Sequence, residues 1–477
     1  MLFSSEIFLF LFLPCCLFFY LLANSLRVKN IILIVFSSFF FIWGDLQFFF
    51  MVLIGTAFDY FLIKQVMNNP NLKLNFKRVH ILSLAVCINL FLLIVFKYGN
   101  FIVEQSEPAL LFLGFSNATY DKIILPLGIS FVTFHRISLL VDCYRNVSQT
   151  PKSFLDTLLY IIVFPHMIAG PIVQYSEISR FFYKRAHRYR SFVVGSTLFS
   201  VGLAKKVLIA DQIGVIADAT FDGSILELPS HVVWMSVLAY TMQIYFDFSG
   251  YSDMAIGLAR MFGIRFPKNF NHPYTATSVT DFWRRWHITL SRWMGRYLYL
   301  PIGGNRMSPS RNFLNLWLVF IVSGFWHGAA WNFLLWGCFH GLFISLDKYL
   351  KTFQIAFKIH WSVKQLTTFF VVCNSWVLFR ANNVTEAFQV YERMYINVDS
   401  SFHNPIWLDF TPHQINVLIL ATLLSTIPWW RVGWANMLGI QLYRRTGYSL
   451  FISFVLIFIC ASFIFSNNTE IFLYFRF

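Results

Sequence analysis

Long, uninterrupted runs of apolar residues alternate along this chain with short polar stretches. Within a run the apolar residues follow one another without alternating with polar positions, which predicts helices rather than strands. About 20 apolar residues span a bilayer as a helix, so the pattern predicts an integral membrane protein. The plain runs lie at residues 7–22, 31–61, 80–96, 366–379, 415–427 and 450–465.

Proline and glycine interrupt the apolar runs in the central part of the chain. The interruptions are Leu125-Pro126-Leu127-Gly128, Phe164-Pro165-His166 and Ala169-Gly170-Pro171. Lipid cannot satisfy the backbone groups that these residues free, so irregular backbone at membrane depth is tolerated only where protein buries it or a wet cavity adjoins it. We therefore predict a cavity built by the central and later parts of the chain.

One apolar run is too long for a single crossing and contains a histidine near its middle. Residues 313–346 include no Asp, Glu, Lys or Arg. As one helix the run would reach about 50 Å, more than the ~30 Å of hydrocarbon in a bilayer. It is therefore predicted to be a broken helix or two helices, with His327 at membrane depth. An ionisable group there is a candidate for catalysis or binding, the alternative being a hydrogen-bonded packing histidine.

Composition agrees with this pattern. The chain is 57% hydrophobic and only 12% charged, with a mean hydropathy of +0.60, so most of its 477 residues are predicted to lie in lipid. We predict an all-α, polytopic membrane protein with roughly ten to twelve transmembrane helices of ~20 residues each, plus re-entrant or interfacial helices. We treat it as a single domain with N-terminal helices (1–122), a motif-bearing core (123–346) and C-terminal helices (347–477).

The net charge of +15 indicates orientation rather than a nucleic-acid partner. The basic residues flank apolar runs and are not gathered in a soluble module, which argues against nucleic-acid binding. By the positive-inside rule the basic stretches are cytoplasmic, while the segment with Glu104 and Glu107 faces outward, so the N-terminus is predicted to lie outside. The basic stretches are 27–29, 73–78, 180–190 and 205–206.

The N-terminus and the cysteines exclude further kinds of segment and site. No basic residue precedes the run at 7–22 and no small-residue cleavage site follows it, so we expect a retained first helix rather than a signal peptide. The seven cysteines lie mostly in apolar runs without a CxxC spacing, and we expect neither disulfides nor a metal site from them.

The densest polar chemistry lies in residues 269–306. Ser278 with Asp281 predicts a capping box that opens a helix. At ~100° per residue, an apolar stripe follows, and the cationic and polar residues fall on two other faces of that helix. The stripe is Phe282, Trp286, Leu290, Trp293 and Tyr297; Arg285, Arg292 and Arg296 share one further face, and Arg284, His287 and Ser291 share another.

This predicted helix lies in or near the membrane interface rather than crossing the bilayer. It is either a basic amphipathic anchor for lipid headgroups or a positively charged surface for a phosphorylated substrate. In the second case His287 is a polar catalytic or structural residue. The spacing alone favours neither interpretation.

A second polar cluster lies at residues 243–253. Residues 231–246 contain no charged side chain other than a histidine, so Asp247 is predicted at or near the end of a span. A buried carboxylate needs a partner, and we expect Asp247 to pair with an arginine of the 284–296 helix or to bind a cation. Asp253 is predicted to begin a helix.

Four motifs span about residues 125–340. They are Phe-Pro-His-Met-Ile-Ala-Gly-Pro-Ile (164–172), Gln-Ile-Tyr-Phe-Asp-Phe-Ser-Gly-Tyr-Ser-Asp (243–253), Asn-His-Pro-Tyr with Asp-Phe-Trp-Arg-Arg-Trp-His-Ile-Thr-Leu-Ser (271–291) and Phe-Trp-His-Gly-Ala-Ala-Trp-Asn-Phe (325–333). In this order, together with Asn-Ser-Trp-Val-Leu-Phe-Arg-Ala (374–381), they resemble the membrane-bound O-acyltransferase family. The resemblance is greatest to the bacterial branch whose members acylate alginate, peptidoglycan and teichoic acid.

The resemblance implies a ring of tilted helices around a thin central layer, pierced by a funnel. It implies that His327 is the catalytic histidine and that His287 occupies the family's second polar position. The donor, acetyl-CoA or another acyl thioester, reaches the funnel from the cytoplasm, and no cofactor is bound. The acyl group passes toward hydroxyls of an extracytoplasmic polysaccharide. The implied partners are the lipid bilayer of the bacterial inner membrane, the donor, the glycan acceptor and an extracytoplasmic esterase-like acetyltransferase protein.

Neutral imidazole suits this chemistry, since it takes the alcohol proton as the hydroxyl attacks a thioester. We therefore expect His327 to be the general base, with a covalent acyl-histidine relay left open. We expect His287 to orient the donor or to polarise the thioester carbonyl. Arg284 and Arg285 are expected to attract the phosphates of a CoA-like donor. The other residues expected to bind substrate are Ser291, Asp247, Trp326 and Asn332.

A transporter or flippase is the main alternative, with His327 in a proton relay within a broken-helix cavity. It predicts an internal sequence repeat, and we find none. A haem protein is a weaker alternative, because His327 and His340 would need a partner histidine on a second helix, for which His166 is the candidate. Acyl transfer is the function that the sequence favours.

Overall fold

The computed structural model describes residues 1–64, 75–113, 121–168, 170–222, 225, 228–352, 359–396, 410–428 and 446–466. Within these ranges the secondary structure is helical and contains no strand, as the continuous apolar runs predicted. Ala169 and residues 73–74, to which predictions above refer, lie outside the described residues. The chain divides into two compact units, Met1–Phe192 with Leu258–Phe266 and Val193–Gly257 with Pro267–Phe477. The single domain with three segments stays a prediction.

Apolar runs and their interruptions account for the helices of the first unit. The apolar run at 31–61 forms two helices, α2 and α3, and the run at 80–96 is part of the longer α4. The interruption after Ile162 is confirmed, because only a short helix follows and the chain is non-helical from Gly170 to Gln174. The helices are α1 (Leu13–Leu22, preceded by the π-helical turn Phe8–Phe12), α2 (Leu26–Ile42), α3 (Leu46–Leu62), α4 (Asn75–Phe112), α5 (Ile129–Tyr144), α6 (Phe154–Ile162), α7 (Phe164–Met167), α8 (Tyr175–Ile178) and α9 (Arg180–Tyr183).

Aromatic packing and one ion pair hold these helices together. The rings of Phe8, Phe12, Phe40 and Phe164 are buried, and every pair of them has centroids 5.3–6.1 Å apart. Aromatic pairs at this distance stabilise a core by more than the free energy that comes from burying their surface area. The four rings therefore join the N-terminal helix, α2 and α7.

A charged pair is buried between α3 and α5. Nε of Arg136 lies 2.6 Å from Oδ2 of Asp59, and both side chains are almost fully buried. Nδ2 of Asn89, from α4, lies 3.5 Å from the other carboxylate oxygen. A buried charge is tolerated only when it is paired, so these residues tie three helices to one another.

The second unit begins within α10 and carries the later motifs. Its C-terminal helices confirm the apolar runs predicted at 366–379, 415–427 and 450–465. The helices are α10 (Tyr189–Ala204, continuing as the π-helix Lys205–Ala210), α11 (Asp211–Phe221), α12 (Ser230–Met261), α13 (Val279–Trp283), α14 (Ile288–Met294, followed by the π-helix Gly295–Tyr299), α15 (Pro309–His327), α16 (Trp331–Thr352), α17 (Trp361–Arg380), α18 (Val384–Tyr395), α19 (Pro412–Thr426) and α20 (Thr446–Ser466).

Several of these helices are suited to a bilayer. Among the described residues, three helical stretches are long and apolar enough to cross it: Arg78–Phe112, Tyr189–Phe221 and Gly447–Ser466. Phe8–Leu22 and Leu46–Leu62 are shorter apolar helices. The number of ten to twelve crossings and the orientation of the N-terminus stay predictions.

Removing one member of the buried ion pair is expected to destabilise the protein strongly. Arg136→Met leaves the Asp59 carboxylate buried without its counter-charge, at a cost of about 3–5 kcal/mol in the free energy of unfolding. Adding Asp59→Leu should recover most of this loss, because no charge then stays buried. The thermal midpoint of unfolding in detergent measures both effects. Lys122→Met, at the exposed Lys122–Glu104 pair, is the control and should change the midpoint little. A midpoint unchanged by Arg136→Met would contradict the assignment.

Candidate active site

His327 is the last residue of α15, and α16 begins at Trp331, so the predicted break within residues 313–346 is confirmed. The histidine is only 5% exposed. Its ring centroid lies 4.8 Å from that of Trp326, 5.2 Å from that of Trp336 and 5.1 Å from that of Phe379. The imidazole is therefore surrounded by aromatic rings that exclude water from it.

The helices on either side of this break, α15 and α16, pack so closely that their backbones are almost in contact. A Cβ atom on Gly324 would lie 2.3 Å from the carbonyl oxygen of Phe333, and one on Gly337 would lie 2.4 Å from that of Phe320. Glycine alone fits at such a distance, and small residues commonly allow membrane helices to pack this closely. The close approach of α15 and α16 places Trp336 against His327.

His287 lies in a turn that separates α13 from α14. Its backbone is left-handed, with φ 42° and ψ 51°, a conformation that residues other than glycine rarely adopt. Two main-chain hydrogen bonds of 2.9 Å flank it, from the N–H of Asn271 to the carbonyl of Arg285 and from the N–H of Ile288 to the carbonyl of Asn269. The turn is thereby held on both sides of the histidine.

The ring of His287 is fully buried and contacts side chains of other elements. Phe248, from α12, meets it edge to face with 4.8 Å between centroids, and its Nδ1 lies 3.2 Å from Oδ1 of Asn269. The indole of Trp326, which contacts His327, lies 6.4 Å from it between centroids. The structure therefore brings both predicted histidines to one indole ring.

The prediction of a continuous helix through residues 278–297 is wrong. Ser278 does open a helix, since its hydroxyl accepts the N–H of Asp281 at 3.1 Å. However, α13 ends after five residues and α14 begins only after the turn at His287. Because ~100° per residue does not hold across a left-handed residue, the face predicted to carry Arg284, His287 and Ser291 is not a helical face.

The two arginines predicted to bind the donor differ in their surroundings. Arg285 is half-buried, and its Nε pairs with Oδ1 of Asp281 at 2.9 Å, one helical turn earlier. Arg284 is exposed at the end of α13. Arg285 therefore has a structural ion pair, whereas the exposed guanidinium of Arg284 is accessible to a ligand.

Further positive charge surrounds His272, which lies in the loop before α13. Burial lowers the pKa of His272, and the positive charges of Lys205, Lys268 and Arg285 lower it further. Lys268 is exposed, and Lys205 pairs with Asp253 at 2.6 Å. Asp253 lies inside α12, so the prediction that it begins a helix is wrong.

Asp247 also lies inside α12, which continues to residue 261, so no helix ends at this residue, and the end of a membrane span near it stays a prediction. A lysine is one partner of its carboxylate, and a pair with an arginine of the 284–296 segment stays a prediction. Nζ of Lys206 lies 3.3 Å from Oδ1 of Asp247 and 2.5 Å from Oδ1 of Asp211. The next residue of α12, Phe248, contacts His287. The buried ion group therefore fixes α12 next to the residue that packs against the histidine. Contact of Asp247 with substrate stays a prediction.

Asn332 and Ser291 hydrogen-bond to backbone carbonyls. Nδ2 of Asn332 donates to the carbonyls of Leu378 at 3.1 Å and Ala381 at 2.6 Å, at the end of α17. The Ser291 hydroxyl donates to the carbonyl of Trp283 at 3.3 Å. Both residues stabilise backbone near the histidines, and their contact with substrate stays a prediction.

His340 behaves as a packing histidine. Its Nδ1 accepts the indole N–H of Trp283 at 3.2 Å, and its ring lies 4.8 Å from that of Trp336 between centroids. In the first unit, His166 stacks on His135 with 4.2 Å between centroids. Among the described residues, no group of three or more His, Cys, Asp or Glu side chains is placed to hold a metal ion.

Three residues next to the histidines were not singled out from the sequence: Asn269, Trp336 and Phe379. Asn269 opens the polar segment and Phe379 lies in the motif at 374–381. No spacing along the chain signals that either approaches a histidine, because each does so from a different element.

Known proteins resemble most of the chain. The family model of the membrane-bound O-acyltransferase family matches residues 31–385, a range that contains both histidines. A protein of Pseudomonas aeruginosa named probable alginate O-acetylase AlgI is 37% identical over 430 residues, covering 89% of this chain and 80% of that protein. A peptidoglycan O-acetyltransferase of Helicobacter pylori is 36% identical over 430 residues, covering 83% and 80%. A teichoic acid D-alanyltransferase of Bacillus subtilis is 26% identical over 281 residues, covering 53% and 68%.

Gly324→Ala is expected to destabilise the helix pair that carries His327. The added Cβ would meet the Phe333 carbonyl at 2.3 Å, and overpacking of this kind costs about 1–3 kcal/mol. The thermal midpoint of unfolding should therefore fall. Gly295→Ala is the matched control, because no described atom lies within 4 Å of its added Cβ. Equal midpoints for the two variants would contradict the close approach of α15 and α16.

Proposed function

The chain belongs to the membrane-bound O-acyltransferase family, and we propose that it moves an acetyl group from a cytoplasmic thioester, such as acetyl-CoA, toward hydroxyls of an extracytoplasmic polysaccharide. The relatives named as an alginate O-acetylase and a peptidoglycan O-acetyltransferase support acetyl as the group and a glycan as the acceptor. Alginate, another exopolysaccharide and peptidoglycan all belong to this class of acceptor.

The pair of buried histidines that shares the Trp326 indole is the observation that carries the proposal. Transfer of an acyl group to a hydroxyl needs a group that takes the alcohol proton, and imidazole does so near neutral pH. His327 is the last residue of α15 and His287 lies in a turn, so irregular backbone adjoins each ring. Two imidazoles close to one indole are suited to acyl transfer.

His327 is assigned as the general base. It takes the hydroxyl proton as the acceptor oxygen forms a C–O bond with the thioester carbonyl carbon. The tetrahedral intermediate then collapses, the C–S bond breaks, and the thiolate takes the proton from His327 and leaves as a free thiol. In the relay that the sequence leaves open, the imidazole first bonds to the carbonyl carbon, the C–S bond breaks, and the thiolate takes the imidazole N–H proton and leaves as a free thiol. The hydroxyl then attacks the acyl-histidine, the C–N bond breaks, and the hydroxyl proton passes to the imidazole.

The phosphates of the donor are assigned to the positive charge around α13 and the loop before it. Arg284 is exposed there and Lys268 is exposed in the preceding loop, whereas Arg285 and Lys205 are paired with Asp281 and Asp253. Phosphate groups bind such clusters through charge-assisted hydrogen bonds. This arrangement supports a CoA-like thioester, although other activated thioesters with a phosphate fit it too.

An extracytoplasmic partner completes this proposal. The thioester is cytoplasmic and the polymer lies outside, so an esterase-like acetyltransferase protein is proposed to receive the acyl group and pass it to the glycan. The chain itself is a membrane protein, and we assign it to the bacterial inner membrane, where both the thioester and the nascent polymer are within reach.

His327→Ala is expected to slow the release of free CoA from acetyl-CoA by roughly 10²–10⁴-fold, the usual contribution of general-base catalysis. The assay uses purified protein in nanodiscs with candidate glycans and the extracytoplasmic partner, and a thiol reagent detects CoA. His135→Phe replaces a fully buried histidine of the first unit with another ring, and this control should retain turnover. Equal turnover in His327→Ala and wild type would contradict the site. Radiolabelled acyl group retained on wild type but not on His327→Ala would select the relay.

Arg284→Glu is expected to raise KM for acetyl-CoA while leaving kcat nearly unchanged. Reversing a charge close to a phosphate costs about 1–2 kcal/mol at a partly exposed site, which corresponds to roughly 5–30-fold in KM. The effect should shrink as salt is added, because ions screen it. Arg311→Glu, another exposed arginine, is the control. Equal KM values for Arg284→Glu and wild type at low salt would argue against donor binding there.

A further inference from the structure

We propose that Asn269 is a positioning residue that selects the tautomer of His287 and leaves its Nε2 as a hydrogen-bond acceptor. The inference rests on the proposed function, since it concerns a histidine of the acyl-transfer site. His287 and Asn269 are both buried, with relative exposures of 0% and 1%. Asn269 lies in the loop after α12, so it reaches the turn at His287 from a different part of the chain.

The orientation of the Asn269 amide follows from its neighbours. Its Oδ1 lies 3.3 Å from the backbone nitrogen of Thr289 and 2.9 Å from the hydroxyl of the same residue, and its Nδ2 donates to the hydroxyl of Ser252 at 3.1 Å. A backbone N–H can only donate, so the atom that faces it is the amide oxygen. Exchanging the oxygen and the nitrogen of the amide would place two donors against each other.

The tautomer of His287 follows from that oxygen. Its Nδ1 lies 3.2 Å from Oδ1 of Asn269, which can only accept, so Nδ1 carries the proton. A neutral imidazole has one N–H group, and Nε2 therefore carries the lone pair. A ring of this kind cannot donate through Nε2 to a thioester carbonyl. The expectation that neutral His287 polarises that carbonyl is thus revised: His287 accepts a hydrogen bond or a proton.

Asn269 also holds the backbone of the histidine. Its carbonyl accepts the N–H of Ile288 at 2.9 Å, directly after His287. A left-handed residue other than glycine costs on the order of 1–3 kcal/mol and persists only when its surroundings impose it. Phe248 meets the imidazole edge to face at 4.8 Å and restricts its rotation. Asn269 therefore holds the main chain beside His287 and determines which ring nitrogen is protonated, and Phe248 limits the rotation of the ring.

Two measurements on the full-length protein in nanodiscs test this. The first is the ring ¹⁵N spectrum of histidine-labelled protein, in which His287 is identified among the 12 histidines by its absence from His287→Gln. We expect a protonated Nδ1 and an unprotonated Nε2 in wild type, and a loss of this preference in Asn269→Ala. A protonated Nε2 in wild type would overturn the proposal, and this readout needs no turnover.

The second measurement is the pH profile of kcat/KM. Asn269→Ala should lower kcat/KM roughly 10²-fold, as misplaced catalytic groups do, without changing the donor KM. In Asn269→Asp the carboxylate still accepts from Nδ1 and stabilises the imidazolium. As the pH falls, His287 is therefore protonated at a higher pH than in the wild type. The acid limb should therefore move up by about 1–3 pH units, while activity at high pH is largely retained. A merely structural role predicts a uniform loss with an unshifted limb.

Asn100→Ala is the matched control for both measurements. Asn100 also uses its whole amide, donating to the carbonyl of Ile123 and accepting its N–H, but it belongs to the first unit. It should leave the His287 signal and the acid limb unchanged, and a shifted limb in this variant would overturn the specific role of Asn269. Wild-type protein with the expected tautomer but without turnover would count against the proposed function and still support the positioning role.

Discussion

A polar group buried in a membrane protein has to find its partner within the chain, because lipid supplies neither donors nor acceptors. The structure meets this constraint with side chains that bind between elements. Arg136 binds Asp59 in the first unit, and Lys206 binds Asp247 in the second. Asn332 donates to carbonyls at the end of α17, which no further helical turn can satisfy. Each of these contacts sets the relative position of the elements that it joins.

The same constraint explains how irregular backbone can adjoin the chemistry. The break after His327 and the turn at His287 both interrupt helical hydrogen bonding. At the turn, Asn269 and Asn271 supply the missing partners through their own main chain. The two imidazoles, which lie on different elements, meet one indole beside these breaks. The irregular backbone whose polar groups lipid could not satisfy therefore lies next to both histidines.

Aromatic packing then connects the site to the rest of its unit. Phe379 contacts His327, and the neighbouring Arg380 pairs with Asp218 and Asp222, both at 2.8 Å. The end of α17 is thus held by an ion group on one side and by Asn332 on the other. Because the rings around His327 come from several helices, its position depends on how accurately those helices are held.

The sequence by itself determined the helical class, the apolar segments, a break within residues 313–346 and the cap at Ser278, because run length, proline, glycine and capping residues act locally. Motif order also pointed to both histidines. Only the tertiary structure decided the turn at His287, the lysine partner of Asp247 and the role of Asn269. These depend on contacts between residues that are distant along the chain, and a helical period cannot encode them: it assumes the regular backbone that the left-handed histidine breaks.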